Sequence, residues 1–188
     1  MGYTGFERLW LFFAFSFFGW VLETVTAAVR QRRFVNRGLV NGPFCVLYGI
    51  TGTAMIVVCR ELHGIWLFFG SMIFSTLAEW IAGHVIERMY HERWWDYSHM
   101  KWNLDGYICV PVSIVWGVLG AATMRWGAPV LVRVFRMLPR TPGHLIVWIL
   151  AAVLAMDVTA TLCILSGRSR RIRQWEGVDS WLTGVSSR

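Results

Sequence analysis

The stretch Leu9–Val29, LWLFFAFSFFGWVLETVTAAV, decides the fold, because it is a continuous apolar run in which Glu23 carries the only charge. About 20 apolar residues of helix cross a bilayer core about 30 Å thick. The run lacks a basic n-region and an Ala-x-Ala cleavage site and is too long for a signal-peptide core, so it reads as a span, with the mature chain expected to begin at Met1. Comparable runs follow, and together they give spans at roughly residues 9–29, 39–59, 65–86, 107–124 and 144–165. The expectation is an all-α, polytopic membrane protein with five transmembrane helices. It forms a single integral membrane domain over residues 1–188 and ends in a basic cytoplasmic tail, 166–188.

Composition agrees. A chain of 188 residues with 56% hydrophobic and 15% charged residues, 12 Trp and 12 Phe is not a soluble domain. Lys and Arg in short loops stay on the cytoplasmic side. The loops after the first and third spans and the C-terminal tail collect twelve of them and the other side six. The N-terminus is therefore expected outside and the C-terminus in the cytoplasm of a multi-pass cell-membrane protein. The formal charge of +7 then reflects topology and anionic headgroups, and no nucleic-acid partner is implied. Cys45, Cys59, Cys109 and Cys163 lie in or beside apolar runs with no C-x-x-C pair, so they read as small buried hydrophobes, and no metal or cofactor is expected.

Gly42-Pro-Phe-Cys45-Val46 followed by Tyr48-Gly49-x-x-Gly52 resembles Gly106-Tyr-Ile-Cys109-Val110 followed by Trp116-Gly117-x-x-Gly120, with four extra residues in the second copy. Each copy follows a glutamate-bearing span and a basic loop. The pattern fits a parallel two-hairpin repeat plus a fifth helix, although Gly, Cys and Val also match easily by chance in so apolar a chain.

Glu23 and its counterpart Glu79, in IWLFFGSMIFSTLAEWIAGHV, both fall about two thirds of the way along their runs. A carboxylate inside a span costs several kcal/mol unless it faces protein, a partner or water. Residues three and four apart share a helix face, so Ser16, Gly19, Glu23 and Thr26 form one small, polar stripe and Ser75, Glu79 and Gly83 another. Both should face the bundle, while Phe12, Phe13, Phe17, Phe68 and Phe69 face lipid or fill gaps. Asn36, Arg37 and Asn41, at the entrance to the second span, supply donors and acceptors near a helix start. The other loop brings Trp94-Trp95-Asp96-Tyr97-Ser98 and Asn103, whose tryptophans suit the interface and whose Asp suits a cap. Asp157 in the last run is a further intramembrane carboxylate without an expected catalytic part.

Taken in order, Gly19-Trp20-x-x-Glu23, Asn36-Arg37-Gly38, Gly42-Pro43-Phe44-Cys45, Tyr48-Gly49, Glu79, Trp94–Ser98, Asn103, Gly106 and Ser113-x-x-Trp116-Gly117 resemble the putative ABC-transporter type IV (CmpB-like) membrane proteins of bacteria. Many relatives would carry Pro where this chain has Val46, which alters the expected bend of the second span. The resemblance implies a permease-like transport component. Desolvated carboxylates could carry protons or meet a cationic substrate, with Arg37 and the asparagines at the cytoplasmic mouth. The substrate-binding or proton-carrying candidates are Glu23, Glu79, Asn36, Arg37, Asn41, Tyr48, Asp96, Asn103, Ser113 and Trp116. No G-x-x-x-x-G-K-[ST] occurs, so an ATPase would be a separate subunit. A chain this small would also pair with itself or another permease, for which the Gly49/Gly52 and Gly117/Gly120 pairs offer close-packing surfaces. The rival readings are a membrane enzyme acting on a lipid-borne or amphipathic substrate, for which no nucleophile or metal motif speaks, and a scaffold or sensor in which the glutamates are structural.

Overall fold

The computed structural model describes residues 2–32, 42–91 and 93–184, with side chains through Cys163 except those of Arg30, Gln31 and Tyr90. Helix α1, Gly5–Gln31, starts at a capping box in which Thr4 Oγ1 accepts the Glu7 N–H and Glu7 accepts the Thr4 N–H. Helix α2, Val46–Val58, begins at Cys45. Helix α3 runs Gly64–Tyr90 and stops at His91, whose φ of 55° is left-handed. A two-residue antiparallel pair, β1 (Asn103–Leu104) and β2 (Ile108–Cys109), leads into α4, Val110–Ala122. A π-helical turn, Thr123–Gly127, joins α4 to α5, Ala128–Met137. Pro129 has no N–H to give to the turn before it, and the ladder adjusts there by an i→i−5 bond from Ala128 to Thr123. Helix α6 runs Arg140–Gly184.

Among the described residues, four helical segments are long and apolar enough to cross a membrane: Gly5–Val29, Gly64–Met89, Val110–Met137 and Arg140–Cys163. Their limits differ from the apolar runs in two instructive places. The fourth extends past residue 124 to Met137, so Arg125, Arg133 and Arg136 sit on helix, not in a loop; long Arg stems permit this by reaching out of an apolar layer. The second, expected over 39–59, is a helix of only 13 residues, about 20 Å long.

Its shortness has a cause. The Cys45 N–H donates to the Ser16 carbonyl at 2.9 Å, in the middle of α1. The chain has thus come back to the mid-depth of α1 before α2 begins, which makes Gly42–Cys45 a re-entrant approach. Backbone away from helices is tolerated at that depth only where protein supplies its partners. The Gly42 N–H donates to Asp157 Oδ2 on α6 at 2.6 Å, the Phe44 N–H bonds the Gly42 carbonyl, and Phe44 is buried against Phe13, Phe135 and Val147. Asp157 therefore has a structural task here, holding a turn inside the bundle.

The hairpins pack alike. Gly49 lies against Phe12 and Ser16 of α1, and Gly52 against Phe15; Gly117 lies against Phe68 and Met72 of α3, and Gly120 against Ser71. Phe12, Phe15 and Glu23 are each the same distance in sequence from Phe68, Ser71 and Glu79, and the glycine pairs are likewise in register. The two glycine pairs are consumed inside the chain, so they do not serve as a surface for a second subunit. Of the phenylalanines, Phe12, Phe13 and Phe68 fill gaps between helices, while Phe17 and Phe69 are exposed on the outer surface. A Cβ on Gly49 would run into Ser16 Oγ and lie 2.8 Å from Phe12, and one on Gly117 would lie 2.8 Å from Phe68, whereas at Gly127 the nearest atom is 3.6 Å away. Gly49→Ala and Gly117→Ala should each destabilise the protein by about 1–3 kcal/mol in detergent unfolding, with Gly127→Ala within ~0.5 kcal/mol of wild type.

Candidate functional site

Four helices and one loop bring the site together. On α1, Gly19 leaves room for the Tyr48 ring, whose Cβ would lie 2.5 Å from an added methyl, so Tyr48 in the first turn of α2 lies flat on α1. From there its hydroxyl donates to Glu23 Oε1 at 2.7 Å. On α4, the Trp116 indole N–H donates to Glu79 Oε2 at 3.1 Å. Tyr48 and Trp116 are the matching aromatics of the two sequence copies, and each binds the glutamate of the preceding span. Their rings meet edge to face with centroids 5.7 Å apart. The hairpins therefore touch through the two residues that hold the two acids.

The acids differ in cover. Glu79 is 8% exposed and accepts a second bond, from the Tyr97 hydroxyl at 3.1 Å. Glu23 is half-buried. Among the described residues, neither carboxylate is paired with Lys or Arg. Elsewhere Glu7 pairs with Arg136 at 2.7 Å and Glu87 with Arg93 at 3.2 Å, while Asp157 accepts the Gly42 N–H.

Asp96, Asn103 and Ser113 do not reach the glutamates. Asp96 Oδ1 accepts the Ser98 N–H at 2.8 Å and Oδ2 the Ser98 hydroxyl at 3.0 Å, and these bonds, the backbone one foremost, hold its carboxyl below the usual carboxylate range. Asn103 Nδ2 donates to the Met100 carbonyl at 2.7 Å, and its Oδ1 accepts the Gly106 N–H. Ser113 is buried and donates to the Cys109 carbonyl at 3.1 Å. They build the loop and the start of α4 around the site. Asn36, Arg37 and Asn41 lie outside the described residues.

Tyr97 belongs with the candidates although the sequence offered it only as part of a Trp- and Tyr-rich loop. Its backbone N–H donates to the Gly106 carbonyl at 2.8 Å, which turns the side chain toward Glu79. Burial next to that carboxylate pushes its phenol well above the ordinary range, so Tyr97 acts as a neutral donor. His84 is not part of the cluster: it stacks between Trp80 and Tyr107, with Nδ1 2.9 Å from the Trp80 carbonyl. No disulfide joins the cysteines; Cys45 and Cys109 occupy the same place, one residue before α2 and before α4, and Cys163 is exposed on α6 rather than buried as expected. Among the described residues no three His, Cys, Asp or Glu side chains gather as a metal site.

What the arrangement can do follows from its groups. Two carboxylates lie between apolar helices, bound by hydroxyl and indole donors and by no cation among the described residues. Such groups can gain a proton or meet a positive ligand without first breaking an ion pair. Neither a curated protein nor a solved structure matches the chain. A family model does, over residues 10–162, a range that holds both hairpins, both glutamates and most of the last span, and the chain belongs to the family described as Putative ABC-transporter type IV.

Proposed function

We propose that this chain is a permease-like membrane transport component whose working part is a polar pocket around Glu23 and Glu79, with Tyr48, Trp116 and Tyr97 as the neutral groups that hold the acids between cycles. Family membership and four membrane-length apolar helices support the transport setting. The observation that carries the role of the glutamates is their pairing. Glu7 and Glu87 take arginine partners, while the two acids at matching places in the repeat take hydroxyl and indole donors. A carboxylate kept for structure gains from a fixed counter-ion; one kept to exchange protons or cations is hindered by it.

In this reading the N-terminus lies outside the cell and the C-terminus in the cytoplasm. Asn36, Arg37 and Asn41 belong to the mouth on the loop side, and the energy comes from a separate ATPase docked on the loops. The small size of the chain favours assembly with a second copy or another permease subunit.

Glu23→Gln and Glu79→Gln each remove a charge and keep the shape. Each should lower activity at least tenfold in cells that depend on the protein while leaving it inserted and extractable as a folded species, and normal growth with both variants would make the acids structural. Tyr48→Phe, which removes only the bond to Glu23, should cost on the order of tenfold, the lower end of what one hydrogen bond to a charged group contributes. Purification from native membranes in mild detergent should bring down a separate polypeptide carrying a P-loop; recovery of this chain alone would count against the ATPase partner.

A further inference from the structure

Resting on that reading of the glutamate pair, the geometry points to a gate: the cap formed by residues 93–109 closes the loop-side approach to Glu79, with the Tyr97 side chain as its bolt. Of the two groups that cover Glu79, Trp116 belongs to the bundle and Tyr97 to the loop. Tyr97 is partly exposed, while the carboxylate it binds is 8% exposed. One side chain thus reaches from the loop surface to the buried acid.

The cap is built to place this residue. Asp96 fixes the turn at Ser98 on one side of Tyr97, and the Trp95 indole donates to the Tyr107 carbonyl at 2.9 Å on the other. The Tyr97 backbone is pinned to Gly106, whose φ of 76° is left-handed and whose Cβ, if present, would lie 2.6 Å from Asp96 Oδ1. The β1–β2 pair and the Val110 N–H bond to the Trp102 carbonyl close the unit. Many bonds run within the cap and few run from it to α3. Arg93 bridges Glu87, the Asp105 carbonyl and the face of Tyr107, and the Tyr107 hydroxyl meets Glu87. The Arg93–Glu87 pair is solvent-screened and holds weakly, whereas the Tyr107 ring is buried against Gly83 and His84 of α3 and anchors that end of the cap. The cap is thus fixed on α3 at Tyr107, while the Tyr97 side chain is joined to α3 through its hydroxyl bond to Glu79. Glu23 has no such cover from the cap: its described partner, Tyr48, comes from α2.

The test uses the whole protein in nanodiscs and a water-soluble carbodiimide with an amine nucleophile, at mildly acidic pH, with the modified carboxylates mapped by mass spectrometry. Tyr97→Phe keeps the ring and drops the bolt, so Glu79 should be labelled roughly tenfold faster than in wild type, the factor expected for one lost bond to a charged group, while Glu23 is labelled at its wild-type rate. Asp96→Ala, which unseats the turn and leaves the hydroxyl in place, should accelerate Glu79 as well. Equal or slower labelling of Glu79 in Tyr97→Phe would overturn the gate and make Tyr97 a plain anchor or a proton relay; an equal rise at Glu23 would also overturn it, because the opening would then be global. The readout is on the carboxylate and needs no transport, so its failure leaves the cellular test of the glutamates standing, and failure of that test leaves the gate measurable.

Discussion

In a bilayer every backbone N–H must find a protein partner, and the structure turns on how one short segment does so. The chain re-enters between α1 and α6 and begins α2 at the mid-depth of α1, where the Cys45 N–H takes the Ser16 carbonyl and the Gly42 N–H takes Asp157. An unpaired N–H there would cost several kcal/mol. With α2 starting at that level, Tyr48 falls one turn inside the helix beside Gly19, and its hydroxyl meets Glu23. Had α2 begun seven residues earlier, as hydropathy alone suggests, Tyr48 would lie about two turns further along the helix and miss the acid. The site is a consequence of the re-entry.

The two hairpins solve this problem with one plan and two depths. Both short helices have 13 residues, both follow a cysteine, and both pack a glycine pair on the preceding span. In the second copy the aromatic that meets the glutamate comes one turn later, after the β1–β2 turn, and the extra turn makes room for the cap. Equal positions thus receive unequal cover: Glu79 takes two donors, one of them from the loop, and Glu23 one from the bundle. A repeated frame with unequal cover thus leaves the two carboxylates in different surroundings.

Much of this was legible in the sequence, for physical reasons that can be named. The apolar runs, the matched glutamates and the repeated Gly-x-x-Cys pattern are local signals, and helical spacing converts them into faces without knowledge of the fold. The re-entry was not legible, because apolar content marks what may lie in lipid and does not say whether the backbone there is helical; residues 42–45 are as apolar as many helical ones. The extension of the fourth helix to Met137 was hidden by Arg125, Arg133 and Arg136, which look like loop charges until the pairing of Arg136 with Glu7 across the bundle is seen. Tyr97 was hidden because its place is set by a bond to Gly106 that only the folded loop forms. Asp96 and Asn103, read as candidates by their polarity, turn out to be the turn-makers that put Tyr97 where it is.

The contrast among the acids carries the argument for function further than their depth does. A buried charge can be stabilised by an opposite charge or by neutral donors, and the two solutions differ in what they permit. The ion pair of Glu7 and Arg136 ties the first turn of α1 to the end of α5 and holds only while Glu7 keeps its charge. The bonds from Tyr48, Trp116 and Tyr97 impose no such condition. A protonated carboxyl can keep one accepting oxygen for a hydroxyl or indole and turn its own O–H elsewhere, and no partner charge is left behind. Among the described residues, Glu23 and Glu79 are thus held by neutral donors, and on the proposed transport reading that is the property their role would use.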